Sequence, residues 1–314
     1  MKYDMHVHTK ESRHVRRIAY SPEQVIKLAK KLGIGLSITD HDKISKIPKE
    51  IELAKKHGVN LIPGSEFCWS TVVGNGVYIE GEILAYNINP DSQELIEIEE
   101  KMEKSREKRD FDLIPKLNHE GIDISIEKVR KFVQDEEGIV VRKDIVDYLI
   151  HNKYAENKKH AYDIIKPFGH NLVHREKTPL EKLVKAIISS GGTPIAAHIG
   201  IAIKDYQLWP KNIIDDEDFK KAYIIGYNPE TDFENVLLPK LLDLGVKGFE
   251  IYPYDLVGKN ISSQISVIMN DYAQYLNIRY GLLDGIKGTD CHFIEGETQL
   301  GCFITSEEVI AKIR

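Results

Sequence analysis

Imidazoles and carboxylates recur in this chain at short, regular spacings, and those are the groups that hold divalent cations. His6 and His8 stand two apart in "MHVHT", and Asp290 and His292 stand two apart in "TDCH". Strand side chains alternate faces with period two, so each pair presents both of its groups on one side. Such pairs chelate first-row divalent ions. "SITDHD" adds Asp40, His41 and Asp42, "PGSEF" adds Glu66, and "AAHIG" adds His198, each where an apolar run ends. Singly, these residues read as loop caps, and Asp40 or Asp42 is suited to capping the helix that follows. Together they are what a polynuclear metal centre needs, and the chemistry of such a centre is the activation of water.

The elements that must position these residues alternate. "KYDMHVH" reads as a strand. Ser21-Pro22-Glu23 opens an amphipathic helix through "EQVIKLAKKLG", stopped at Gly33. "GLSITDHD" is a strand, "KIPKEIELAKKHG" a helix and "VNLIPGSEF" a strand, and "NGVYIEGEILAYNI" supplies one or two more. That order predicts a parallel sheet or barrel, and the strand C-termini of a barrel gather on the face that carries the site. Ser92 to His119 is long, charged and helical, and residues 97–178 lose the alternation. They read as a mostly helical subdomain inserted between 1–96 and 179–314. The alternation returns in "TPLEKLVKAIISSGG" (helix), "TPIAAHIG" (strand), "ENVLLPKLLDLG" (helix), "VKGFEIYPY" (strand), "SQISVIMNDYAQYLN" (helix) and "GIKGTDCH" (strand). Residues 201–232 are irregular.

Composition bounds the setting. The chain has 314 residues, a formal net charge of -6, 42% hydrophobic and 29% charged residues, as an ordinary soluble protein has. No apolar run approaches the ~18–20 residues of a membrane span, and "MKYDMHVH" lacks the apolar core of a signal peptide. Three Cys make a disulfide framework unexpected and favour a reducing cytoplasm. The mild acidity argues against a stable nucleic-acid complex. A soluble cytoplasmic protein is expected.

"DMHVHT", "ITDHD", "GSEF", "AAHIG" and "GTDCH" occur in the order seen in the PHP (polymerase and histidinol phosphatase) family, which the chain resembles from residue 4 to residue 292. The resemblance implies a distorted (β/α)7 barrel and a metal-dependent phosphoesterase with two or three divalent ions, Mn²⁺, Fe²⁺ or Zn²⁺. The stretch "SREKRDFDLIPKLNHEGIDISIEKV" followed by "TPLEKLVKAIISSGGTPIAAHIG" is similar to the subgroup whose helical insertion helps bind nucleotides such as 3′,5′-bisphosphates and AMP. By resemblance, His6, His8, His41, Glu66, His198, Asp290 and His292 are ligands, with Glu66 bridging two ions. Ile199 stands where the family usually has Pro. Arg13 takes the place of an Asp ligand of that subgroup, while His14 sits at the spacing other members use, so His14 is the expected ligand. Glu82 stands where a His is usual, with Glu80 as a weaker substitute. An oxygen ligand there hardens the site toward Mn²⁺ or Fe²⁺. Asp4 and Asp40 are candidates for holding ligand imidazoles from behind.

Cations must also meet the phosphate. Arg142 matches a substrate-facing Arg of the family's insertion, with Asp144 in place of a His. Arg175 matches a later Arg, and Arg13 is a third candidate; the guanidinium fork suits phosphate. His170 and His174 of the insertion, and Tyr206, Gln207 and Trp209 of the irregular segment, are further candidates for approaching substrate. The expected reaction is attack by a metal-bound hydroxide on a small phosphate ester, with no separate catalytic side chain assigned. Rival expectations are a histidinol-phosphate-type phosphatase, a phosphodiesterase or exonuclease on the same barrel, and a non-catalytic metal- or ligand-binding regulator.

Overall fold

The computed structural model describes residues 1–12, 20–73, 76–133, 140, 142–169, 176–201, 233–253, 263–292 and 300–313. Strands and helices alternate in an α/β fold, and the chain divides into two compact units, Met1–Ile98 with Thr178–Arg314, and Glu99–Lys177.

In the first unit, β1 (Lys2–Val7) lies between β2 (Gly35–Ile38), to which it is parallel, and β7 (Thr305–Ser306), to which it is antiparallel. Tyr3 to Val7 are all buried, so β1 is covered on both faces. Helix α1 (Pro22–Leu32) links β1 to β2. The Ser21 hydroxyl accepts from Gln24 N and the Gln24 side-chain oxygen accepts from Ser21 N, a reciprocal cap that satisfies two free donors of the first turn. Gly33 ends the helix at φ 68°, a left-handed conformation that costs glycine little. Val25, Ile26 and Ala29 pack with Val7, Leu36 and Ile38. Burying Val25 or Ile26 contributes roughly 1.5–3 kcal/mol each. Helix α2 (Ile47–His57) follows β2 and ends at Gly58 in the same way.

A second sheet has the order β5 (Thr178–Pro179), β3 (Gly64–Val73), β4 (Val77–Tyr86), β6 (Thr193–Ala196). β3 and β4 pair antiparallel in unbroken register from Gly64 opposite Tyr86 to Val73 opposite Val77. β4 is antiparallel to β6, and helix α7 (Leu180–Ser189) buries Leu183, Val184 and Ile187 beside them.

The described strands thus form a three-stranded and a four-stranded sheet, not the closed parallel barrel expected from the sequence. The β3–β4 hairpin is one cause, because a tight reversal can only make an antiparallel pair. The segments expected as the last strands are the other. They pair through single bridges, Ala196 with Phe249, Ile251 with Lys287 and Val7 with Cys291.

The second unit takes up most of α3 (Gln93–His119), with α4 (Ile126–Val133), α5 (Arg142–His151) and α6 (Lys158–Gly169). Its core includes Leu113, Leu117, Val129, Ile145, Leu149 and Ile165. The Asn118 side chain accepts from Ile124 N and donates to Ile124 O, which fixes the turn after α3. No helix among the described residues is long and apolar enough to cross a membrane, and Cys68, Cys291 and Cys302 form no disulfide among the described residues.

Candidate metal centre

Backbone pairing in the first unit brings the polar residues together. Asp290 N donates to His6 O (2.8 Å) and His8 N to Cys291 O (3.0 Å), so the two chelating pairs lie side by side. His41, just past β2, bridges to Glu66 at the start of β3. Glu82 is on β4, and His198 lies two residues past β6. Asp42, His198 and Asp290 hold positive φ (50°, 24° and 49°), a strained backbone of the kind that clusters at functional sites.

The donor atoms converge on one carboxylate. Glu66 Oε2 lies 3.0 Å from His41 Nδ1, 3.3 Å from His8 Nε2 and 3.4 Å from His6 Nε2, and Glu66 Oε1 lies 2.9 Å from His198 Nε2. Asp290 Oδ1 is 3.0 Å from His8 Nε2 and 3.4 Å from His292 Nδ1. Glu82 Oε2 is 3.5 Å from His198 Nε2. Overlapping triads result: His8–His41–His292, His6–His8–Glu66, His6–His198–Asp290 and Glu66–Glu82–His198, each with donor atoms within 4.8 Å of one another.

The chemistry of this set fits divalent cations. His6 Nδ1 faces Glu250 Oε1 at 2.8 Å. An ionised carboxylate only accepts, so the ring proton sits on Nδ1 and the Nε2 lone pair points inward. There His6 Nε2 meets His8 Nε2 at 3.1 Å. Two ring nitrogens at that distance need a proton or a cation between them. Burial pushes the His6 and His8 imidazoles down, but the carboxylates around them outweigh it: His6 is held well above its ordinary value and His8 at about 9. Burial likewise pushes the Glu66 and Asp290 carboxyls up. The imidazoles of His41 and His6 around Glu66, and of His292 and His6 around Asp290, reverse this and hold both carboxyls well below the usual range. Cations can take the place of those protons.

The sequence reading missed the groups that orient the donors. Glu250 is fully buried and uses both oxygens, Oε1 on His6 Nδ1 and Oε2 accepting from His198 N at 2.9 Å. The Ser12 hydroxyl is 2.8 Å from His8 Nδ1 and accepts from His41 N. Tyr252 donates its hydroxyl proton to Asp290 Oδ2. The period-two pairing of Glu250 with Tyr252 in "FEIYP" was the available signal.

Asp4 and Asp40, the candidates for holding ligand imidazoles from behind, have these partners. The Asp4 carboxylate accepts from Thr289 N, Thr289 Oγ1 and Gly301 N, and its hydrogen bonds among the described residues reach no imidazole ring. A register shift between Asp4 and Val7 breaks the simple alternation on β1. Asp40 accepts from Thr9 N (2.6 Å) and Thr9 Oγ1 (2.7 Å) and lies 4.0 Å from His8 Nδ1. Neither Asp40 nor Asp42 caps α2, whose N-cap is Lys46. Asp42 Oδ1 instead accepts from Cys68 N on β3. Arg142 begins α5, where its Nε is buried and makes no hydrogen bond among the described residues. Arg13, His14, His170, His174, Arg175, Tyr206, Gln207 and Trp209 lie outside the described residues.

Comparison with known proteins agrees with this geometry. The family model of the PHP domain matches residues 4–204. A Haemophilus influenzae protein named 5′-3′ exoribonuclease is 27% identical over 201 residues, covering 63% of this chain and 68% of that protein. An uncharacterised protein of Methanocaldococcus jannaschii is 32% identical over 123 residues, 37% of this chain and 67% of its own. Two solved structures share the fold. A candidate metal-dependent phosphoesterase from Bifidobacterium adolescentis has a TM-score of 0.70 at 19% identity, covering 99% of this chain and 94% of its own. An amidohydrolase from Chromobacterium violaceum with bound sulfate has a TM-score of 0.67 at 18% identity, covering 98% and 93%.

Proposed function

The chain belongs to the PHP domain family, and from that premise we propose that it is a metal-dependent phosphoesterase. Its substrate in this reading is a small phosphate ester, a nucleotide phosphomonoester of the 3′,5′-bisphosphate or AMP kind. The observation that carries the proposal is the convergence of His6, His8, His41, His198, Asp290 and Glu82 around Glu66, in overlapping triads.

The cofactors are two or three divalent ions, Mn²⁺, Fe²⁺ or Zn²⁺, held by those triads. When bound, they supply Lewis acidity toward phosphoryl oxygens and make water acidic near neutral pH. The protein's own residues do the rest. Glu250 and Ser12 orient the imidazoles of His6 and His8. Burial of His6, His8, Glu66 and Asp290 keeps bulk water away, which strengthens every charge interaction inside. Glu66 and Asp290 stay ionised and serve as ligands, so no proton donor to the leaving oxygen is assigned to them. His14 is proposed as a further ligand. Arg13, Arg142 and Arg175 are proposed to bind phosphate, with residues 97–178 as the substrate-binding insertion of a distorted (β/α)7 barrel. The parallel sense of the isolated bridges Val7–Cys291, Ile251–Lys287 and Ala196–Phe249 supports the barrel reading. A cytoplasmic location belongs to the same proposal.

A second reading is favoured by one relative: the H. influenzae protein is named a 5′-3′ exoribonuclease. Under it, the substrate is the 5′ end of an RNA, processed at the same centre. Assays with Mn²⁺ or Zn²⁺ separate the two. Nucleoside 3′,5′-bisphosphates and AMP are compared with a short 5′-phosphorylated oligoribonucleotide. Release of phosphate from the mononucleotides alone supports the first reading, and stepwise shortening of the oligonucleotide supports the second. Glu66→Ala should abolish either activity, and full activity in that variant overturns both.

A further inference from the structure

We propose that Cys68 is a thiolate ligand of this centre, forming with His41 and Glu82 a sulfur-containing cation site that takes Zn²⁺ or Fe²⁺ in preference to Mn²⁺. The proposal rests on the metal-centre reading above and deepens it.

Three placements on β3 and β4 carry it. Cys68 follows Glu66 by two residues on the same strand, so both side chains stand on one face of the sheet. It pairs directly with Glu82 across the hairpin, with Sγ 3.8 Å from Glu82 Oε1. Its sulfur, a His41 nitrogen and a Glu82 oxygen all lie within 4.8 Å of one another. Cys68 is 5% exposed, and its backbone N–H is held by Asp42 Oδ1 at 2.8 Å, which fixes the main chain at this residue. Cys291 marks the contrast. It stands between Asp290 and His292 but packs into the apolar cluster of Val7, Val25 and Ile38. Facing the donors is therefore particular to Cys68.

The chemistry follows from softness. Glu82 alone hardens this end of the centre, but a thiolate beside it draws borderline ions such as Zn²⁺ and Fe²⁺. Without a cation, the thiol S–H donates to Glu82. As an ion binds, the sulfur gives its proton to water and its lone pair to the metal, with no change of oxidation state. The competing account is a small buried thiol that only fills space.

Cobalt(II) decides between them. The full-length protein is loaded with Co²⁺, and its absorption is compared with that of Cys68→Ser and Cys291→Ser, with far-ultraviolet circular dichroism as the folding control. The wild-type protein and Cys291→Ser should show a near-ultraviolet sulfur-to-cobalt charge-transfer band that Cys68→Ser lacks. Zn²⁺ held against a competing chelator should be roughly tenfold or more weaker in Cys68→Ser. Cobalt bound with visible bands but no sulfur band overturns the thiolate ligand and leaves the metal centre standing. So does a sulfur band lost in Cys291→Ser. A wild-type protein that takes up no cobalt, manganese or zinc overturns the centre itself, and the thiolate with it. Because the wild-type spectrum alone reveals or excludes a sulfur ligand, poor folding of Cys68→Ser does not shield the proposal.

Discussion

Glu250 decides which nitrogen of His6 faces the centre. Both of its hydrogen-bond partners, His6 Nδ1 and His198 N, are donors. Gln at this position offers one acceptor and one donor, so one of the two contacts becomes donor against donor. Glu250→Gln should therefore fold but hold Mn²⁺ or Zn²⁺ about 10–100-fold more weakly, as read by competition with a chelating dye. Unchanged affinity would mean that Glu250 does not orient the ligands. Legibility at this scale follows the same physics. The pair at 6/8 was readable because period two is a property of the strand alone, whereas Asp290 and His292 flank a single bridge at Cys291, with Asp290 at φ 49°. Glu250 and Ser12 were not, since what their oxygens accept depends on segments far away in sequence. Asp4 shows the same dependence: its carboxylate fastens Thr289 and Gly301, which lie nearly 300 residues away.

Elements, too, are held by chemistry that is invisible one strand at a time. The alternation of strand and helix was readable from periodicity, and so were the stops at Gly33 and Gly58. The hairpin of β3 and β4 was not, because periodicity gives no strand direction. Gly288 illustrates what pairing demands. A Cβ there would lie 2.2 Å from His6 Cβ and 2.4 Å from His6 N, so only glycine lets this segment approach β1. Gly288→Ala should cost about 1–3 kcal/mol by overpacking and lower the bound-metal content, measured by thermal melting and elemental analysis. Behind the centre, α2 carries a buried charged group. Lys46 Nζ lies 3.2 Å from both Glu50 carboxylate oxygens, 3.6 Å from Asp40 Oδ2 and 3.1 Å from Ile38 O. Burial raises the Glu50 carboxyl to about 7; Lys46 opposes the shift, and Asp40 and Glu11 add to it. A raised carboxyl binds its proton more tightly in the folded state. Its contribution is complete below pH 4.5 and is lost as pH rises through about 7. Glu50→Gln removes this dependence. Its melting temperature relative to wild type should climb between pH 5 and pH 8, corresponding to at most about 3 kcal/mol. A difference that is flat or falls with pH would refute the assignment.

For the whole molecule, the two units predict separate behaviour. The core of Glu99–Lys177 is drawn from residues 113 to 165, so a chain of residues 99–177 alone should remain helical with a cooperative melt. A non-cooperative melt would show that this core does not suffice. The cation, by contrast, should stabilise the full chain by mass action, by about 2.7 kcal/mol at a hundred times its dissociation constant. Thermal melting with and without chelator reads that difference. The centre also carries a timetable. His6 and His8 are synthesised some 280 residues before Asp290 and His292, whose backbone segment is hydrogen-bonded beside them. At about 5–20 residues per second, the first pair waits roughly 15–60 s for the second. Until then His6 and His8 can join only donors made earlier, such as Glu66. The triads that need Asp290 or His292 therefore close last, and a cation held there would latch together two stretches far apart in the chain.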